Sequence, residues 1–427
     1  NTVGILGSNG GGTPPPADLH VNPGQNLILY ADRNKTTLHL VTPQGTTLAS
    51  PLSRIAPLSK PSVTDDGTLV LYIAQDKTMR GIIFNWNRGT YEEIVVSDEP
   101  IWRNVAISRD GSKLAALTDA YDNIIYVSDI ITGNVTEFEL YNPTYTQGVS
   151  TGDVQYADVL EWDYSGEYIM YDAFNKIGSS LSSIEYWDIG LLQVWDNSRN
   201  NFANGFISKL YSALPENVSI GNPTFSKNTP YIIAFDYLDE VNEEYYILGT
   251  NVENGDLGII YQNSDIGFPN YAVNDKQILF DGVTTAGNQV LAVVNLAADK
   301  INAQNDPPVA NILVSGGNNG ARWGVWFANG KRQLTDNEAV KLFDQSLKIF
   351  PNPFAEIIYL RGASAPGGMI AVEVFDQIGQ QIKRLIINTP SENWEENLDL
   401  RNLPAGNYVI RVRTESGSTS RNLSKIK

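Results

Sequence analysis

Six aspartates close six very apolar stretches of this chain: Asp32, Asp76, Asp119, Asp172, Asp236 and Asp281. The stretches read LILYAD, LVLYIAQD, KLAALTD, YIMYD, YIIAFD and QILFD. Carboxylates gathered in one place need a counter-charge or shifted pKa values. A circle of them would take a cation such as Ca2+, a cationic group or a sugar. Two carboxylates roughly 5–10 Å apart also suffice for glycoside hydrolysis. Against these stands a local role, because Asp commonly ends a strand by accepting a hydrogen bond from a following backbone N–H. The D-x-D-x-D-G calcium spacing is absent.

Neighbouring segments add candidates. Residues 172–190 read as a long loop carrying Phe174, Tyr186 and Trp187, aromatics suited to sugar or protein contacts. Residues 236–246 read as a second loop holding Asp236, Asp239, Glu240, Glu243 and Glu244, either a carboxylate pair or an acidic solvated turn. Gly148-Val149-Ser150-Thr151-Gly152 matches the G-x-S-x-G nucleophile pattern, but a polar loop precedes it and no helix pattern follows. The two histidines, His20 and His39, both precede it, against the Ser–Asp–His order of that fold. There is no cysteine, so disulfides, thiolate chemistry and Cys-ligated zinc are excluded. No H-E-x-x-H or Walker A sequence occurs.

The elements that must position these residues repeat. Residues 19–32, 62–76, 105–119, 159–172, 223–236 and 269–281 each read as strand, polar turn, apolar strand. The turns are Pro23-Gly24, Asp66-Gly67, Asp110-Gly111, Ser165-Gly166, Asn228-Thr229 and Asn274-Asp275, most of them suited to tight hairpins. An alternating strand and a fourth, more polar one follow each copy. Four strands in about 45 residues is the size of a propeller blade. The expected fold is all-β, a six-bladed β-propeller over residues 1–333. In it the aspartates stand where the loops joining second and third strands begin, on one face around the channel mouth. Residues 2–6 and 325–331 compete to close the ring, with a Gly/Pro linker at 7–16. The repeats resemble the TolB-like six-bladed propellers, most nearly at Ser108-Arg109-Asp110-Gly111 and Ile233-Ala234-Phe235, although the proline of that family's S-P-D-G turn is missing.

The net charge is −18, unevenly spread. Residues 346–427 carry ten Lys/Arg and eight Asp/Glu, leaving 20 and 40 on residues 1–345. The large part therefore does not suit nucleic acid or anionic lipid, which need Lys and Arg. No apolar run of about 18 residues exists to span a membrane as a helix. The chain begins at Asn1, as expected once a leader has been removed.

Residues 334–346 read as a linker, and 347–427 as a small immunoglobulin-like β-sandwich of about seven strands. Several short motifs follow one another here: Pro351-Asn352-Pro353, the stretch 372–376 with Val374 and Asp376, then Gly379. Leu403-Pro404-Ala405-Gly406-Asn407-Tyr408 and a terminal Lys427 complete the set. In this order they resemble the type A sorting domain of the type IX (Por) secretion system of Bacteroidetes. The resemblance implies a leader-directed path to the periplasm, then passage through an outer-membrane translocon and capture by its shuttle protein. Removal of the domain and surface attachment or release would follow. From Arg401 onward, six basic residues face Glu415 alone, either a solvated edge that resists aggregation or a dock for an acidic partner. On this reading the propeller works outside the cell. It is expected to be a non-catalytic binding or adhesion module for surface glycan or protein, or alternatively a carbohydrate-active hydrolase or lyase.

Overall fold

The computed structural model describes residues 19–426 except 20, 33, 144–152, 180–181, 198, 212–213, 216, 230, 316–319, 331–342, 344–345, 364–368, 377–380, 389–392 and 415–416. The chain divides into two compact units, Asn1–Arg332 and Gln333–Lys427. None of the helices among the described residues is long and apolar enough to cross a membrane.

In the first unit the turn dipeptides fix the hairpins. Gly24, Gly67, Gly111 and Gly166 all adopt positive φ, as does Asp275 in the corresponding turn. The Asp or Asn of the turn then accepts a backbone N–H two residues on: Thr68 at Asp66 (3.0 Å), Ser112 at Asp110 (3.0 Å), Lys276 at Asn274 (3.1 Å). Such turns bring two strands together every few tens of residues, and six four-stranded antiparallel sheets result among the described residues. Their first strands are Ala321–Ala328, Ser62–Val63, Trp102–Ile107, Asp153–Trp162, Val218–Phe225 and Asn270–Tyr271. Each packs on the first strand of the next sheet, and the sixth returns to Ala321–Ala328. The unit is therefore a β-propeller. Its inner strands line an axial cavity, with Trp326, Val63, Val105, Leu160, Pro223 and Asn270 on its wall.

Ring closure joins the two ends of the unit. Ala321–Ala328 pairs antiparallel with Asn26–Asp32, Asn26 opposite Ala328, and serves as the inner strand of the first sheet. The 325–331 candidate thus overlaps the closing strand, while residues 2–6 lie outside the described set. The second strands form the core between sheets, with Leu27, Ile28, Tyr72, Tyr171, Phe235 and Phe280 fully buried. Each such side chain contributes roughly 1.5–3 kcal/mol by burial.

Two expected loops are strands. Residues 172–190 form a long hairpin, Tyr168–Ser179 against Ser182–Gln193, because the residues beyond Asp172 keep pairing one to one. Residues 236–246 are likewise strand, with Ile232–Asp239 paired to Glu244–Asn251 across a short turn whose Glu243 adopts positive φ. Asp172, Asp236 and Asp281 consequently sit inside their strands rather than at loop starts.

The second unit packs two sheets face to face. One orders Lys348–Phe350, Ile357–Ala363 and Asn393–Asp399, and the other Gln381–Asn388, Met369–Phe375, Gly406–Thr414 and Gly417–Lys425. Phe354, Ile358, Val374, Trp394, Ile410 and Leu423 fill the space between them, making a β-sandwich. The segment read as a linker lies largely outside the described residues, but its Phe343 is buried in this core.

Candidate functional site

The six aspartates have three kinds of surroundings. Asp32 ends its strand and accepts from the Thr36 amide (2.9 Å) and hydroxyl, with His39 Nε2 at 3.5 Å. Desolvation raises its pKa, but these partners outweigh it and leave the carboxyl below its ordinary value. Asp76 and Asp119 lie past their strands and meet cations, Arg80 at 3.4 Å and Lys77 at 2.7 Å.

Asp172, Asp236 and Asp281 are instead gripped by backbone amides of the next sheet. Asp172 accepts from Val159 N (2.7 Å) in its own sheet and Asn222 N (2.8 Å) in the next. Asp236 accepts from Gly267 N and Phe268 N (both 2.9 Å) and from Asn222 Nδ2 (2.9 Å). Asp281 holds Trp323 N with both oxygens, at 2.8 and 3.0 Å. Asn222, Phe268 and Trp323 all adopt positive φ, at 49°, 47° and 58°. L-residues rarely enter this region, so the carboxylates hold a strained residue within the inner strands Val218–Phe225 and Ala321–Ala328 and just before Asn270–Tyr271. Desolvation outweighs the donors and pushes the carboxyls up, Asp172 to about 7, Asp236 to about 6 and Asp281 to about 8.

Asp236 and Asp281 share a neighbour. Lys60 lies on the cavity wall and donates to the carbonyls of Phe268 (3.2 Å) and Pro269 (3.0 Å). It thereby bridges the second and sixth sheets. Burial lowers its pKa, and the charges of Glu161, Asp281 and Asp236 oppose that shift. On another stretch of wall, Arg109 donates to the carbonyls of Ser226 and Lys227, both at 3.0 Å, linking the third sheet to the fifth. No sequence signal marked Lys60. Its partners come about 200 residues later, at 268 and 269.

Trp187 stands in an aromatic shelf. Tyr156, Phe174 and Trp187 face one another across three adjacent strands, with ring centroids 5.5–5.6 Å apart. Tyr121, 55% exposed, meets Tyr156 edge-on at 4.9 Å. Arg103 covers the rings of Tyr121 (4.6 Å) and Tyr156 (5.4 Å) and pairs with Asp158 at 2.7 Å. Tyr186 is not part of the shelf; its hydroxyl accepts from Asn142 Nδ2 at 3.2 Å. The sequence pointed to Phe174 and Trp187 but missed Tyr121, Tyr156 and Arg103, which only the fold brings beside them. The Ser150 motif lies outside the described residues. Among the described residues, no three His, Asp or Glu are grouped to hold a metal ion.

In the sandwich, the short motifs converge on its last strand. The Asn352 amide behaves like a strand residue, donating to Asn422 O and accepting from Ser424 N, both at 2.9 Å. Phe354 continues this pairing through Ser424 O (2.9 Å) and Ile426 N (2.8 Å). Asn407 accepts from Ser424 Oγ at 2.9 Å, and Tyr408 donates to Pro404 O at 2.6 Å. Lys425 closes the assembly on the carbonyls of Leu400 (2.8 Å) and Arg401 (3.2 Å). Pro351 and Pro353 flank Asn352, Gly406 opens the strand that carries Asn407, and Leu403 packs against the core. Val374 is buried opposite Ile410, and Asp376 follows its strand. Gly379 and Lys427 lie outside the described residues.

A propeller joined to a sandwich whose export motifs form one edge defines an exported cargo protein. Residues 348–426 match the secretion system C-terminal sorting domain. This sorting domain marks the chain as type IX secretion cargo exported to the cell surface or beyond, and it implies interaction with the outer-membrane translocon. The chain is also similar to solved structures. TolB from Acinetobacter baumannii shares 15% identity over 71% of this chain and 66% of that one, with a TM-score of 0.49. A TolB-like protein from Agrobacterium tumefaciens shares 11% over 73% and 92%, TM-score 0.43. An oligogalacturonate lyase in complex with manganese shares 14% over 64% and 77%, TM-score 0.37. No curated protein sequence matches.

Proposed function

We propose that the exported propeller is a non-catalytic binding or adhesion module that takes glycan or protein on the shelf around Trp187. The carrying observation is that shelf: three cross-strand rings and the exposed Tyr121, edged by Arg103 and Asp158. Flat aromatic faces stack on sugar rings, and the polar edge orients hydroxyls. Lys60 reaching across the cavity wall, and aspartates occupied by backbone amides, support binding over turnover. Delivery would run through the shuttle protein of the translocon, bound by the sorting domain. The test is a glycan-array screen and a cell-adhesion assay of wild type and Trp187→Ala. The variant should fold normally and lose at least about tenfold in affinity, the scale of a buried aromatic contact. Equal binding by the two proteins would reject the reading.

A second reading, a carbohydrate-active hydrolase or lyase, draws on Asp281 and Asp236. The Asp281 carboxyl, pushed up to about 8, holds its proton near neutral pH as a general acid must, while Asp236, at about 6, is mostly ionised. Product release from any array-positive glycan, abolished in Asp281→Asn, would favour it over the first.

A further inference from the structure

We infer that the propeller holds an oxyanion site formed by Lys35 and Arg322 on the ring of Trp323. The Lys35 ammonium lies 4.4 Å from the Trp323 centroid, and the Arg322 guanidinium carbon 4.5 Å from it. Two positive charges therefore stand at most about 9 Å apart, and each offers an oxyanion charge-assisted hydrogen bonds. Neither side chain forms a hydrogen bond or an ion pair among the described residues. The Arg322 Nε and the Trp323 Nε1 are buried without a partner.

Several other cations of the unit are partnered. Lys77, Arg103, Lys209 and Lys300 each pair with a carboxylate, and Lys60 and Arg109 donate to carbonyls. Residues 1–345 hold twice as many acidic as basic side chains, so counter-charges are plentiful. The nearby carboxylate, Asp281, is committed to the Trp323 amide. Burial and the charge of Arg322 both hold the Lys35 pKa down, so the two cations feel each other. The backbone beneath them is strained as well. Trp323 and Phe268, whose rings lie 6.3 Å apart, both adopt positive φ, each fixed by a carboxylate of the neighbouring sheet. Strain held in place this way marks a position the fold pre-organises.

The ligand class is an oxyanion, either a sugar carboxylate or a phosphate. The site does not depend on the shelf around Trp187. Titration calorimetry of the full chain at low salt uses three probes: trigalacturonate, inorganic phosphate and the neutral trisaccharide maltotriose. At least one oxyanion should bind, and its affinity should fall about tenfold or more in Lys35→Gln and Arg322→Gln, as for loss of a charge-assisted hydrogen bond. It should be unchanged in Trp187→Ala. Which probe binds separates carboxylate from phosphate. The inference is overturned if neither oxyanion gives heat at millimolar concentration, or if both variants bind as wild type does. Should Arg322→Gln fail to fold by circular dichroism, Lys35→Gln decides alone. Loss of neutral-glycan binding in Trp187→Ala tests the proposed function separately.

Discussion

Replacing Asp281 by Asn tests the electrostatics of the ring. Asp281 grips a single donor, Trp323 N, with both oxygens, so the Asn Oδ1 can keep that bond while the charge goes. Desolvation raises the carboxyl to about 8, against the pull of Arg322, the Trp323 amide and Lys60, and with a push from Asp236. An unfolded Asp titrates near 3.9. The folded state therefore holds a proton that the unfolded state has released, and stability falls as pH rises from about 4 through about 8. At 1.36 kcal/mol per unit, the three units from pH 5 to pH 8 amount to about 4 kcal/mol. The depressed carboxyls, such as Asp32 and Asp76, lose their contribution only below their own low pKa values and stay out of this window. Urea unfolding followed by tryptophan fluorescence reports the propeller, because seven of the eight tryptophans precede residue 333. Wild type should lose stability between pH 5 and pH 8, and Asp281→Asn should lose distinctly less and be more stable at pH 8. Parallel slopes for the two proteins would refute the assignment.

Asn352→Ala removes two hydrogen bonds between the Pro-Asn-Pro segment and the last strand of the sandwich. At roughly 0.5–1.5 kcal/mol each, the sandwich should lose about 1–3 kcal/mol, measured on its calorimetric transition. Deleting residues 346–427 should leave the propeller in the periplasm, detected by fractionation and blotting; unchanged surface delivery would count against the sorting role.

Local chemistry was legible in the sequence and long-range pairing was not. Turn pairs such as Asp66-Gly67 and Asp110-Gly111 announce hairpins because the φ they need and the bond they make lie within a few residues. The apolar second strands were equally plain, since burial on both faces leaves no alternation to misread. Closure was open because residues 2–6 and 325–331 both read as strands, and nothing local says which one Asn26–Asp32 selects. The hairpin beyond Asp172 reads as a loop because Asn175, Lys176, Gly178 and Ser179 break its apolar pattern, yet cross-strand pairing continues through them. The partners of the aspartates were hidden for the same reason: Asp172 meets Asn222, and Asp281 meets Trp323, 50 and 42 positions away. Lys35 and Arg322 lie nearly 290 positions apart, and only ring closure puts them on one indole.

An exported chain without cysteine must resist opening by other means. A propeller sheet buries its two faces against its neighbours, so slippage at one junction would expose both. Here the junctions are stitched by polar side chains as well as by packing. Trp162 Nε1 donates to Ala106 O (3.1 Å), Ile107 N to Ser62 Oγ (3.0 Å), Phe225 N to Glu161 Oε1 (3.1 Å) and Trp326 N to Asn270 Oδ1 (2.8 Å). Arg103 reaches Ala157 O, and Asp172, Asp236 and Asp281 carry the pattern through the fourth to sixth sheets and back to the closing strand. Each bond spans two sheets, and those of Trp162, Trp326 and Arg103 are buried, so breaking one of these three leaves a buried donor unpaired at a cost of about 1–3 kcal/mol. Opening a junction therefore forfeits several such bonds together with its apolar contacts. The same geometry gives three of the six aspartates, Asp172, Asp236 and Asp281, a structural task as acceptors for inter-sheet amides.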